Sequence, residues 1–424
     1  MDKISVVVSA PIDTYSGYGA RARDLVKALL KLEKYDVKVL SQRWGNTRTG
    51  YLKDHNQAEL GSIIVPNLTA QPDIWIQITV PNEFQKIGKY NIGVTAGIET
   101  TLAAPQWIEG CNRMDLVLTS SQHSKSVFEQ SAFEKTENGN VVGRIHLQTP
   151  VEVLFEGADV ELYTNKATSD FNLDSVSESF CFLFVGHWLQ GAIGEDRKNV
   201  GFMIKSFLET FKNKPTPPAL LLKTSLGTSS IMGREEILDR IDNIRKTVKG
   251  KLPNVYLIDG DITDEDMNNL YNHPRVKAMV SLTKGEGFGR PLLEFSLTGK
   301  PILASGWSGH IDFLVPEFTS LVGGNLTKVH PSAIQKDIIL EDSQWFSPSP
   351  DEVGKKFRDL VKDYKTACVG AKRLAFRNKV EFCFEKMVDV LDSILTSKVP
   401  DFPKQVELTL PKLQLPKLKK VTAE

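Results

Sequence analysis

The chain has 424 residues, 41% hydrophobic and 25% charged, with 52 basic and 52 acidic side chains and no formal net charge. That profile excludes an intrinsically disordered chain, which needs low hydrophobicity and high net charge, and it excludes collagen and coiled-coil compositions. It also argues against a strongly basic nucleic-acid binder, leaving room only for a local basic patch.

At roughly 150 residues per domain the length suggests two or three domains. Apolar, strand-like runs occur at 4–9 (ISVVVS), 36–41, 74–79, 91–96 and 115–119. Helical periodicity lies between them at 20–33 and follows them at 122–133. This alternation predicts a parallel sheet with helices on both faces. A polar stretch from 157 to 180 (including TNKATSDFNLDSVSES) then reads as an interdomain linker. A second series of strands begins at 181–186 and recurs at 219–224, 255–259, 276–282 and 301–304. Two amphipathic stretches, 351–364 and 371–395, follow. The expected division is 1–160 as a first Rossmann-like domain and 161–180 as linker. A second Rossmann-like domain with C-terminal helices takes 181–397, and 398–424 is a tail carrying the Pro/Lys motif PKLQLPKLKK. The N-terminal apolar run is too short for a signal peptide, and no stretch approaches a membrane span. The cysteines, Cys111, Cys181, Cys368 and Cys383, are far apart and suggest neither disulfides nor zinc. The expected location is the cytoplasm.

Doubly wound sheets bind ligands beyond the carboxyl ends of their strands, so residues just after strands are the candidates. The strongest segment is KGEGFGRPLLEFSLTGKP after the strand at 276–282. Glu286 falls on a loop, Pro291 suits the first turn of a helix, and Glu294 lies about one turn in. Gly287 and Gly289, around Phe288, let a ligand approach the backbone, and a helix start favours an anion. The same spacing also fits an ordinary strand–loop–helix junction with solvated carboxylates. The second segment, FLFVGHWLQGAIGEDRKNVGF, places His187, Arg197 and Lys198 between a strand and a helix. Two cations at a helix start oppose its dipole, so they suit phosphate better than stability; a solvated loop is the alternative. The third, PIDTYSGYGARARDL, brackets Tyr18 with Gly17 and Gly19 but lacks a complete dinucleotide fingerprint. It also fits a plain tight turn. His55, His123, His146, His273 and His330 show no metal spacing, while His310 follows a strand and could line a cleft.

Together these segments resemble the retaining glycosyltransferases of the GT-B fold, of family-4 type, over about residues 4–395. Glu286 and Glu294 match that family's E-x7-E pattern within GEGFGRPLLEFSLTGKPILAS. VEVLFEGADVELY resembles its crossing between domains. The resemblance implies two tandem doubly wound α/β domains facing an interdomain cleft, and transfer of a sugar from a nucleoside-diphosphate sugar, UDP-sugar favoured. It implies that Glu294 holds the ribose and Glu286 faces the sugar. Lys198, with Arg197 or His187, neutralises the diphosphate. The backbone of Gly287, Phe288, Gly289 and Arg290 touches sugar and phosphates, Asp261 and Ile262 sit beside the base, and Gly17 and Gly19 form the opposing lip. Tyr18, Glu99 and His310 belong to the acceptor side or cleft. His187 stands where the family has Arg, and TAGIETT, with Glu99, stands where it often has His. No cofactor and no metal are expected.

APIDTYSGYGARARDLVKALL and NIGVTAGIETT further resemble glycosyltransferases of tailed phages, which brings a hydroxymethylated base in DNA among the acceptors. Residues 1–170 carry 17 basic and 20 acidic side chains, so a duplex would rely on local clusters such as Arg21/Arg23, Arg43/Arg48 and the tail's Lys417, Lys419 and Lys420. A saccharide, lipid-linked or protein acceptor is the alternative, as is a non-catalytic nucleotide-sugar-binding protein.

Overall fold

The computed structural model describes residues 3–402, apart from 138, 189–192 and 228–229. Lys417, Lys419 and Lys420 and most of the expected tail therefore lie outside the described residues. Two six-stranded sheets form the two halves. The first runs in the order Tyr35–Ser41, Ile4–Ala10, Ile74–Ile78, Tyr90–Val94, Leu116–Thr119, Val151–Val153, all parallel. The second runs Val255–Ile258, Ala219–Lys223, Cys181–Val185, Val276–Ser281, Ile302–Ser305, Ser320–Val322, also all parallel. Strands such as ISVVVSA and CFLFV are apolar almost throughout because helices cover both faces of a parallel sheet. The expected pair of doubly wound domains is what the chain builds.

Local signals explain the helices that matter for the cleft. Helix Gly17–Lys31 starts where Ser16 Oγ accepts the Gly19 N–H at 2.9 Å. Helix Val200–Phe211 buries Val200, Met203, Ile204, Phe207, Leu208 and Phe211, a stripe at three- and four-residue spacing. Phe207 and Phe211 join Phe182 and Phe357 in an edge-to-face aromatic cluster, with Phe182 and Phe357 centred 5.0 Å apart at 89°.

Several features depart from the sequence expectation. The helix expected over 122–133 stops at Gln130, and an antiparallel hairpin, Ala132–Glu137 with Asn140–His146, follows it. The expected helix over 371–395 is two helices, Tyr364–Glu381 and Phe384–Lys398. The break has a tertiary cause. Ala158 N–H donates to Phe382 O and Phe384 N–H to Ala158 O, each at 2.9 Å, so the two interdomain passages meet in a single β-bridge between Ala158 and Cys383. Gly157 is required there, since a Cβ would lie 2.7 Å from Phe384 Cα and 2.8 Å from Cys383 O.

Helix Phe384–Lys398 crosses back and puts Met387, Val388, Leu391 and Leu395 into the first domain's core. The segment 161–180 packs on the second half, where Thr164 N–H donates to Asn268 Oδ1 at 3.1 Å and Tyr163, Leu173 and Val176 are buried. No described helix is long and apolar enough to cross a membrane.

Candidate active site

The strand order of the second sheet reverses between Cys181–Val185 and Val276–Ser281, and the loops after these two parallel strands meet at that switch point. This is where an open α/β sheet leaves a crevice. Arg197 and Lys198 come from the first loop and Glu286 from the second. Lys198 Nζ stands 2.6 Å from Glu286 Oε1, and Arg197 Nη1 stands 3.2 Å from Oε2. Arg197 Nη1 also donates to Gly285 O at 2.7 Å. Burial alone would raise the Glu286 carboxyl, but Lys198 and Arg197 outweigh it and hold it at about 2. Glu286 is therefore a carboxylate at neutral pH, and it neutralises the cations expected to meet a diphosphate.

The loop is tightly held from behind. Glu286 N–H donates to Ser308 Oγ at 2.9 Å, and Gly309 N–H donates to Glu286 O at 2.9 Å. Ser308 has φ of 81°, a conformation that costs a non-glycine residue roughly 1–3 kcal/mol and tends to survive at functional sites. His310 is fully buried behind the loop, its Nε2 2.7 Å from Ser305 O, so it supports the cleft wall rather than lining it openly.

Glu294 lies in helix Arg290–Ser296, started by Gly289 at φ 98° with Pro291 in the first turn. Burial raises its carboxyl to about 7 against the opposing pull of Arg290, whose Nε is 2.9 Å away. Arg290 Nη1 also reaches Asp24 Oδ2 of the first domain at 2.5 Å. Glu156 is buried near this group, and burial raises its carboxyl although Arg21 and Arg290 oppose the shift.

The first domain presses its 96–99 turn on the glycine loop. A Cβ on Gly285 would lie 1.9 Å from Glu99 O, and one on Gly287 would lie 2.3 Å from Ala96 O. Only glycine permits that approach. Glu99 Oε1 stands 3.6 Å from Arg197 Nη2 across the cleft. Gln122 N–H donates to Asp312 Oδ2 at 2.9 Å, and His123 packs edge-on against Trp307 at 4.6 Å, so the start of helix Gln122–Gln130 also touches the second domain. Tyr18 stacks on Trp44 at 4.0 Å, and its hydroxyl lies 3.0 Å from Thr95 Oγ1. Gly19 is forced by packing, with a Cβ 2.3 Å from Thr14 O, whereas a Cβ on Gly17 would meet nothing within 4 Å.

The other expected residues take varied places. His187 is exposed at the rim with Nδ1 3.1 Å from Ser225 Oγ. Desolvation, then Lys198, Lys223 and Arg197, lower its pKa and favour neutral imidazole. Phe288 turns into the core against Phe313, leaving only its backbone toward the loop. Asp261 is at the surface with Oδ2 4.0 Å from Arg48 Nη1 of the first domain, and Ile262 packs partly on the second domain's core.

Arg21 and Arg23 are not a surface patch. Arg21 is fully buried and donates to Phe155 O at 2.8 Å and to Leu154 O. Arg23 is 6% exposed and donates to Ile12 O at 2.8 Å and Thr14 O at 2.9 Å. Arg23 holds the loop after the first strand, and Arg21 holds the crossing segment at 154–155.

Asp24 and Glu156 are the cleft residues that carry no local sequence signal, whereas Trp307 and Ser308 share with His310 the SGWSGH run after a strand. Among the described residues no group of three or more His, Cys, Asp or Glu side chains could hold a metal ion.

No family model and no curated protein matches this chain. Solved structures do match its fold along nearly its whole length. HepE of Anabaena, solved with UDP and glucose, has a TM-score of 0.60 at 14% identity, covering 93% of this chain and 100% of its own. Sucrose-phosphate synthase from Thermosynechococcus elongatus has a TM-score of 0.61 at 12% identity, covering 93% of this chain and 99% of its own. An E. coli trehalose-6-phosphate protein bound with UDP-2-fluoro glucose has a TM-score of 0.58 at 10% identity, covering 94% and 100%. The chain is similar to these in fold, which is the GT-B arrangement.

Proposed function

We propose that this chain is a retaining glycosyltransferase moving a hexosyl or pentosyl group from a UDP-sugar to an acceptor hydroxyl. The observation that carries the reading is the convergence of Arg197 and Lys198 on Glu286 at the switch point, with Glu294 one helical turn beyond. UDP is favoured because HepE and the E. coli protein were solved with UDP or a UDP-sugar.

In this reading Glu294 accepts hydrogen bonds from the ribose hydroxyls, and Asp261 and Ile262 flank the base. The diphosphate displaces the Glu286 carboxylate from Lys198 and Arg197, and Glu286 turns to the sugar hydroxyls. His187 adds a neutral donor at the rim. The backbone from Gly287 to Arg290, and Gly17 opposite, admit the phosphates closely, with Gly19 packed on Thr14 to shape that lip. The bond from the anomeric carbon to the β-phosphate oxygen breaks, and its electron pair leaves with the diphosphate. Lys198 and Arg197 stabilise that charge where it forms. The acceptor oxygen bonds to the anomeric carbon from the same face, and its proton passes to the departing phosphate oxygen. Configuration is retained without a protein nucleophile. Protein cations do the work a divalent ion would otherwise do, so no cofactor is proposed, and a cytoplasmic location goes with the reading. Tyr18 and Glu99 belong to the acceptor side, on the first domain.

The test is purified chain with a panel of nucleotide sugars, with and without chelator, following release of nucleoside diphosphate. Release with one donor, unchanged by chelator, is expected; no binding and no release with any donor overturns the assignment. Donor binding without release for every acceptor would identify a sensor instead. Hydroxymethylated DNA and a saccharide acceptor in parallel arms separate the two acceptor classes.

A further inference from the structure

Helix Tyr364–Glu381 packs inward by one narrow face. Ala371, Leu374 and Asn378 are buried there, and Asn378 Nδ2 donates to Ser296 Oγ at 2.9 Å on the helix that carries Glu294. The opposite face holds apolar side chains in water: Phe376 is 75% exposed, Val380 57% and Val369 55%. At about 100° per residue these three fall in one stripe roughly 40° wide.

Cations border the stripe. Lys365, Lys372 and Lys379 recur at seven-residue intervals along one side, and Arg373 stands on the other. All four are exposed, and among the described residues none forms an ion pair, unlike Arg377, which is tied to Glu381 at 2.9 Å. A hollow of about 560 Å³ lies along the Val369–Arg373 side and one of about 480 Å³ along the Phe376–Lys379 side. The helix is therefore a ridge. Asp363 precedes the helix at the Lys365 end, Glu317 lines the same hollow as Lys365 and Arg373, and Glu381 is tied to Arg377, which leaves the unopposed charge centred on Lys372 and Lys379.

We propose that this ridge docks the protein on an anionic lipid bilayer. Val369, Phe376 and Val380 enter the boundary between headgroups and acyl chains. Lys365, Lys372, Lys379 and Arg373 lay their stems on the same boundary and put their charges on lipid phosphates. Other occupants use only half of the surface. A nucleic acid would pair the cations and leave a phenyl ring and two valines in water. A neutral apolar partner would cover the stripe and desolvate the lysines without compensation. A second copy joined by two-fold symmetry would set the lysine row against itself. Docking here is independent of the transferase reading, since none of these residues belongs to the charged cleft.

The test is co-sedimentation of the full chain with phosphatidylcholine vesicles, with and without phosphatidylglycerol. Binding is expected only with phosphatidylglycerol and weakens as salt rises. Lys372→Gln and Lys379→Gln should each weaken it about fivefold. Phe376→Ser should remove most of what is left, all with an unchanged melting temperature because the positions are exposed. Three results overturn the proposal: no binding to either vesicle, equal binding to both, or wild-type binding by the variants. So does a dimer that Phe376→Ser converts to monomer. Binding to duplex DNA that the lysine variants lose and Phe376→Ser keeps would also overturn it, assigning the surface to nucleic acid.

Discussion

Arg290 joins the two domains: its guanidinium reaches Asp24 of the first at 2.5 Å while its Nε holds Glu294 of the second at 2.9 Å. Asp24 is 266 residues away in sequence, on the first turns of helix Gly17–Lys31. Asp24→Asn leaves a largely enclosed guanidinium with one ionic partner. We expect a loss of about 1–3 kcal/mol, below the full cost of breaking a buried pair because Arg290 keeps some access to solvent. The free chain should melt earlier and show a larger radius of gyration by solution scattering. A double-mutant cycle with Arg290→Met reads the bridge directly, and strictly additive losses would show that it does not operate.

Glu294 gives a pH prediction. Burial, outweighing Arg290, raises its carboxyl to about 7 in the free chain. In the proposed reading ribose hydroxyls donate to this carboxylate, so the bound form favours ionisation and its pKa falls. Between the two values, binding releases a proton, and affinity rises with pH. UDP should bind up to about tenfold more tightly near pH 8 than near pH 6. Calorimetry in buffers of different ionisation enthalpy should register the released proton. Glu294→Gln should weaken binding and flatten this dependence; an unchanged pH profile in that variant would place the titration elsewhere.

How much of this was readable in the sequence depends on what holds each part in place. Strands such as ISVVVSA and ALLLK announce themselves because burial on both faces demands an unbroken apolar run. The hairpin over 132–146 carries no such signal, since its second strand is almost wholly exposed and mostly polar or charged outside Val141 and Val142. The break after Glu381 is set by Ala158, more than 200 residues earlier, so local periodicity runs straight through it. In the cleft, the spacing of Glu286 and Glu294 and the glycines between them mark a strand–loop–helix junction. Asp24 and Glu156 are ordinary acids until the fold brings them to Arg290. Arg21 and Arg23 read as surface cations because sequence cannot show that backbone carbonyls of Phe155, Ile12 and Thr14 receive them.

In the proposed reading Glu99 and Glu286 both compete with the diphosphate for Arg197, but they differ in strength. The Glu99 contact is 3.6 Å long and 38% of its side chain is exposed, which fits a weak ion pair worth about 0–1 kcal/mol. Glu99→Gln should therefore tighten UDP binding by no more than about fivefold, with the gain shrinking as salt rises. Titration calorimetry at two ionic strengths checks this. Weaker binding in the variant would mean that Glu99 orients Arg197 for the ligand instead of competing with it.

Closure can be tested without touching a charged group. The Glu99 carbonyl lies where a Cβ on Gly285 would have to be, at 1.9 Å, and the obstacle is backbone, which cannot swing aside as a side chain can. Gly285 has no positive φ, so alanine is compatible with its own conformation. Gly285→Ala should leave each domain folded and force the 96–99 turn away from the glycine loop. Arg197 would then lose Glu99, and the first-domain wall of the cleft would withdraw from Glu286. We expect UDP affinity within a few-fold of wild type, since the proposed donor contacts lie mainly on the second domain. Turnover should fall by about two orders of magnitude, the usual penalty for misplacing reactants by an ångström. Steady-state kinetics beside UDP titration separates the two effects, and wild-type turnover would show that the domain contact seen here is not the reacting arrangement.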